Sequence, residues 1–204
     1  MKKNQKIQNL TFLAVFTAII LLMGFTPIGY IKTLGLEITL LVIPVVIGAI
    51  LLGPKAGTFL GFMFGVTSLI QAISGLSPFG AMLFGLSPIK TIILCIIPRT
   101  LMGFLVGVIF KALNNKLLGK ANIFAHIIAC VSGALLNTIF FMSLLCLFFY
   151  NTDEILAFRN QLGSTNVLNF IILFVGINGL VEAIVNFVIG SFVSKTLFII
   201  FKRS

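Results

Sequence analysis

The sequence predicts an all-α integral membrane protein with six transmembrane helices and both termini in the cytoplasm. Three observations carry this. Hydrophobic residues make up 59% of the 204-residue chain and charged residues only 9%, against roughly 45–50% and about 25% in soluble domains. The apolar residues gather into stretches near the ~20 residues that a helix needs to cross a hydrocarbon core. The basic residues alternate across the gaps. Lys2, Lys3 and Lys6 precede the first stretch, Lys55 sits in the second gap, Lys111, Lys116 and Lys120 in the fourth, and Lys202 and Arg203 close the chain. The other gaps hold Lys32, Lys90 and Arg159 with the acids Glu37, Asp153 and Glu154. An excess of Lys and Arg on one side marks the cytoplasmic loops, which places both ends inside.

The spans are read at 9–26, 38–53, 56–74, 88–113, 122–149 and 166–194. The basic start ahead of Leu10–Phe25 resembles a secretory leader, but no small-residue cleavage pattern follows, so it reads as a retained first span. The second span, at ~24 Å of helical rise, is short and must be little tilted or partly re-entrant. Gly53-Pro54-Lys55-Ala56-Gly57 makes a tight cytoplasmic turn into the third. The third gap, from Ser74 to Pro88, is rich in Gly, Pro and Ser yet apolar, a composition suited to folding back over something held in the membrane. The fifth gap, Tyr150 to Thr165, is the most polar and reads as extracytoplasmic. The last stretch would be ~54 Å long as one straight helix over 166–201. Lys195 therefore marks the end of the crossing, with 196–201 at the inner interface. No repeat and no soluble domain are evident, so residues 1–204 form one membrane domain.

Composition excludes several functions. The net charge of +10 is scattered over loops and ends with no basic, aromatic-interleaved stripe, so no nucleic-acid partner is expected. Cys95, Cys130 and Cys146 are isolated in apolar runs and read as packing residues, with neither metal nor disulfide. No cofactor is expected, and no hydrolytic residue set or phosphate-binding loop assembles. His126 reads as an interfacial residue at the start of the fifth span.

Small residues define two faces. Ala14 and Ala18 lie four apart on the first helix, and Gly57, Gly61 and Gly65 repeat at the same interval on the third. Such faces let helices approach closely where lipid gives no hydrophobic drive. Intramembrane polar residues are more informative. Glu182 is flanked by Asn178 and Asn186 at four-residue steps. A carboxylate at the bilayer centre costs about 2.5–3.5 kcal/mol on insertion scales, which calls for a partner or a wet cavity. Arg99 and Asn137 are its natural companions, and Gln71 lies near the outer end of the third span. Two readings stand: Arg99 and Glu182 pair to hold the bundle, or these residues line a polar cavity for a small hydrophilic ligand. Pro98 before Arg99 predicts a kink that frees backbone carbonyls. A scaffold or pore former and a membrane-embedded enzyme are weaker alternatives. A scaffold has no use for an intramembrane acid, and the enzyme would need a nucleophile–base pair.

The segment Glu37 to Phe110 carries Ile43-Pro44-Val45-Val46, Leu52-Gly53-Pro54-Lys55-Ala56-Gly57, Phe64-Gly65-Val66-Thr67-Ser68-Leu69 and Ile97-Pro98-Arg99-Thr100-Leu101-Met102-Gly103. With these the chain resembles the substrate-binding S component of energy-coupling factor (ECF) vitamin transporters. The resemblance implies a non-enzymatic capture subunit that binds a water-soluble vitamin with high affinity and topples in the membrane to release it. It also implies docking of the Ala14/Ala18 face on a membrane T subunit, with ATP hydrolysed on two ATPase subunits. The vitamin would sit near the outer surface, enclosed by the first, third and fifth loops and the last three helices. The pantothenate branch is most similar, and the hydroxymethylpyrimidine and pyridoxine branch is close. The absence of Trp argues against the thiamine branch. The expected binding residues are Gln71, Arg99, Asn137, Asn178 and Glu182.

Overall fold

The computed structural model describes residues 2–26, 29–31, 38–116 and 123–203, with side chains for all of these except 2–4, 31, 38, 115–116, 177–178 and 201–203. Lys32, Glu37 and Lys120 lie outside the described residues, as do the side chains of Lys2, Lys3, Lys116, Asn178, Lys202 and Arg203.

The chain is an all-α membrane bundle. Its elements are α1 (Lys2–Gly24), strands β1 (Tyr30–Ile31) and β2 (Ile38–Thr39), α2 (Val42–Leu52), α3 (Pro54–Ser74), α4 (Pro78–Leu86), α5 (Pro88–Lys116), α6 (Ile123–Phe149), α7 (Asp153–Gln161), α8 (Val167–Val185), a π-helical segment (Asn186–Gly190) and α9 (Ser191–Arg203). Among the described residues, five helical stretches are long and apolar enough to cross a membrane: Gln5–Gly24, Pro54–Ser74, Pro88–Asn114, Ile123–Phe149 and Gly179–Ile200.

Three segments differ from the sequence reading. The second stretch is helical only over Val42–Leu52, 11 residues, or ~16 Å of rise against a hydrocarbon core of ~30 Å. Ile38 and Thr39 instead pair antiparallel with Ile31 and Tyr30. This short helix is nearly encased, with Val42, Val45 and Val46 fully buried against α1, α3, α5, α6 and α9. The last stretch is broken at Gly176 (φ 37°, ψ −127°) and widened over Asn186–Gly190. Helix then continues through Lys195 to Arg203. His126 is buried rather than interfacial. Its Nδ1 lies 3.0 Å from Ser194 Oγ, and its ring packs edge-on against Phe110 and Phe198.

The third and fifth gaps each contain a helix. The third contains α4, capped by Ser77, whose Oγ accepts from the Gly80 amide. The fifth contains α7, with Asp153 and Glu154 in its first turn and Arg159 in its last, the arrangement that complements a helix dipole. The glycine face of α3 lies directly on α5, backbone against backbone. A Cβ on Gly57 would strike the Gly103 carbonyl, one on Gly61 the Arg99 carbonyl, and one on Gly65 would come within 2.8 Å of Ile96 Cα. The pairs 57/103, 61/99 and 65/95–96 step along an antiparallel crossing and fix the register of Arg99 against α3.

A candidate vitamin-binding cavity

Two apolar clusters frame the site. One centres on α2 with Phe16, Ile20, Leu60, Phe64, Met102 and Val106. The other joins α4 to α8 through Leu83, Leu94, Met142, Leu145, Phe170 and Phe174. A cavity of about 110 Å³ lies between them, its wall drawn from both. The polar wall comprises Tyr30 and Thr39 from the strand pair, Ser68 and Gln71 from α3, Thr91 and Arg99 from α5, Asn137 and Thr138 from α6, and Glu182 from α8. Leu83, Leu94, Phe141 and Met142 supply apolar wall.

Four of the five expected binding residues therefore meet around one space. The fifth, Asn178, has its backbone in α8, but its side chain lies outside the described residues. Asn186 turns away from the cavity and donates from Nδ2 to the Glu182 carbonyl at 2.9 Å. Gln71 is partly committed, since its Nε2 donates to the Gly24 carbonyl at 2.5 Å and ties α3 to the end of α1. Asn137 is buried with its Oδ1 unpartnered among the described residues. A buried acceptor without a partner is costly, and an occupant that donates to it would remove that cost.

Arg99 is held by the proline beside it. Pro98 has no N–H, so the Leu94 carbonyl four residues back loses its helical partner. Arg99 Nη1 takes that carbonyl at 2.7 Å. The guanidinium then lies 5.4 Å from the centroid of Phe64 and 4.9 Å from that of Phe141, over their ring faces. Such placement attracts a cation to the ring and fixes its plane. The residue is only 7% exposed, and its Nε is buried without a partner among the described residues. Among the described residues no carboxylate comes within ion-pair distance of it, so the structural pairing of Arg99 with Glu182 is not made. Glu182 instead accepts from Thr39, through the backbone amide at 2.6 Å and the hydroxyl at 2.8 Å.

The sequence reading missed Tyr30, Thr39, Ser68, Thr91 and Thr138. Tyr30 hydroxyl and Ser68 Oγ are 2.9 Å apart, and burial raises the phenol above its usual range, keeping it protonated. Thr67-Ser68 was in view as a family-like segment, but nothing in its spacing marked the serine as cavity wall. Lys90 is exposed in the first turn of α5, and its ammonium reaches the Phe148 carbonyl rather than the cavity.

Comparison with known proteins assigns the class. The family model for the ECF transporter, substrate-specific component, matches residues 8–193. The chain belongs to this family. It is an S component, a multi-pass transport subunit of the membrane and not an enzyme, which replaces the scaffold and pore readings. The S component is 30% identical over 163 residues to the pantothenic acid transporter PanT of Lactococcus lactis subsp. cremoris (strain MG1363), covering 74% of this chain and 78% of that protein. It is 33% identical over 143 residues to the pantothenate transporter PanT of Leuconostoc mesenteroides subsp. mesenteroides, covering 67% of each.

Proposed function

We propose that this S component captures pantothenate from outside with high affinity and delivers it to an ECF module for import. The observation that carries the reading is Arg99, a cation in the cavity wall without a carboxylate partner among the described residues. Pantothenate offers one carboxylate to the guanidinium fork, and an amide and two hydroxyls to Asn137, Ser68, Thr91 and Thr138. Its branched hydrocarbon end suits Leu83, Leu94 and Met142. The names of the two relatives point the same way. Pyridoxine and hydroxymethylpyrimidine have no carboxylate and would leave the guanidinium without a counter-charge. Isothermal titration of purified protein against the three compounds tests this. Tight binding of pantothenate alone is expected, and tight binding of either ring compound with none of pantothenate would reassign the vitamin.

Import requires a T subunit in the membrane and two ATPase subunits, with the chain crossing six times and both termini cytoplasmic. Ala14 and Ala18 are the proposed docking face. Both are exposed, as are the neighbouring Val15 and Ile19, on a helix that buries little of its apolar length. Ala14→Trp or Ala18→Trp is expected to reduce vitamin uptake to background while leaving Kd unchanged, because the ring blocks close helix approach far from the cavity. Loss of binding by folded variant protein would count against this docking face.

A further inference from the structure

We infer that Glu182 is a positioning residue, which fastens the β1–β2 strand pair across the cavity and so sets how fast the vitamin leaves. Among the described residues, both hydrogen bonds to its carboxylate come from one residue of the first loop: Thr39 donates to Oε1 from its backbone amide at 2.6 Å and from its hydroxyl at 2.8 Å. Directly across the ladder from Thr39 is Tyr30, whose hydroxyl meets Ser68 of α3 at 2.9 Å. The strand pair is thus a strap with two buried fastenings, one to α3 and one to α8. The Leu40 amide donates to the Gly29 carbonyl at 3.0 Å and closes the end of the ladder. Tyr30 and Thr39 are themselves cavity wall, so freeing either end removes a side of the enclosure.

The chemistry favours a fastening over a ligand contact. Both hydrogen bonds fall on one oxygen of the acid, so a single acceptor holds the backbone and the side chain of Thr39 together. A carboxylate aimed at the occupant would also repel an anionic vitamin held by Arg99, whereas one bonded to Thr39 has its charge partly satisfied by the strap. The inference rests on reading the cavity as the vitamin site, so its test has one arm without vitamin.

In ligand-free protein in detergent, hydrogen–deuterium exchange at the Thr39 amide should accelerate at least roughly tenfold in Glu182→Ala relative to wild type. Unchanged exchange would overturn the fastening. In the second arm, the dissociation rate of radiolabelled pantothenate is measured. Thr39→Val and Glu182→Gln should each raise it, the first by roughly tenfold, with association little altered. Thr39→Ser should restore the wild-type rate, and the double variant should dissociate no faster than the worse single, because both changes act on the same contact. A wild-type dissociation rate in Thr39→Val beside a large affinity loss in Glu182→Gln would overturn the inference by making the acid a ligand contact. If wild-type protein binds no pantothenate, the vitamin assignment fails, and the exchange arm still decides the fastening.

Discussion

Arg99→Ala is expected to abolish pantothenate binding at physiological concentrations without loss of fold. Truncating one partner of a buried, hydrogen-bonded charge pair costs about 2–5 kcal/mol, or roughly thirty- to several-thousandfold in Kd. The ligand-free protein should tolerate the change. Arg99 makes one hydrogen bond to a carbonyl that Pro98 has freed, and its Nε is buried unpaired among the described residues; removing a buried cation that has no ion-pair partner there relieves a desolvation cost that offsets the lost ring contacts. The unfolding temperature without vitamin should therefore hold or rise, while the shift that saturating vitamin produces in wild type disappears. Arg99→Lys should fall between, because a single ammonium keeps the charge but loses the planar fork and the ring stacking. Titration calorimetry and thermal unfolding read both quantities. Wild-type affinity in Arg99→Ala, with a large drop in ligand-free stability, would make the residue structural.

How much of this site the sequence revealed follows from the range of each signal. The role of Pro98 was legible because proline acts on the carbonyl four residues back, and the residue that profits stands next to it. The glycine face was legible because a four-residue period survives in any helix. Glu182 was recognisable as an anomaly, since an acid in an apolar run is costly wherever it points. Its partner was not recognisable: Thr39 is 143 residues away, in a strand of two residues that shows no periodicity. The apolar character of Ile38-Thr39-Leu40-Leu41 made that strand look like the start of a helix, which overstated the second span. The π-helical segment leaves no mark in composition. Asn186 stands one ordinary helical turn after Glu182 and spends its side-chain amide on the Glu182 carbonyl, a local bond that four-residue spacing alone does not announce. The burial of His126 was illegible for a related reason: it depends on Ser194 and Phe198 of α9, the nearer of them 68 residues away in the chain.

The backbone contact of α3 with α5 predicts the second large effect. Gly61→Leu is expected to give protein that fails to fold or accumulates at a small fraction of the wild-type level. A Cβ at position 61 collides with the Arg99 carbonyl oxygen, and its next neighbour is the Arg99 carbonyl carbon. Neither is the end of a flexible side chain, so the helices themselves must separate. Overpacking a core by a few methylenes costs typically 1–3 kcal/mol, and here the neighbouring contacts at Gly57 and Gly65 would be lost together because all three lie on one crossing. In a bilayer no hydrophobic drive replaces them, since separated helices find lipid as apolar as each other. Gly61→Ala is the informative milder variant. It should fold with lowered thermal stability and weakened vitamin binding, because the residue pushed outward is Arg99. Gly85→Ala in α4 is the control: nothing lies within 4 Å of its added Cβ, and alanine favours helix, so stability and Kd should be unchanged or slightly improved. Wild-type stability and affinity in Gly61→Ala would show that α3 and α5 do not cross at this glycine, and the placement of Arg99 in the cavity wall would fall with that crossing.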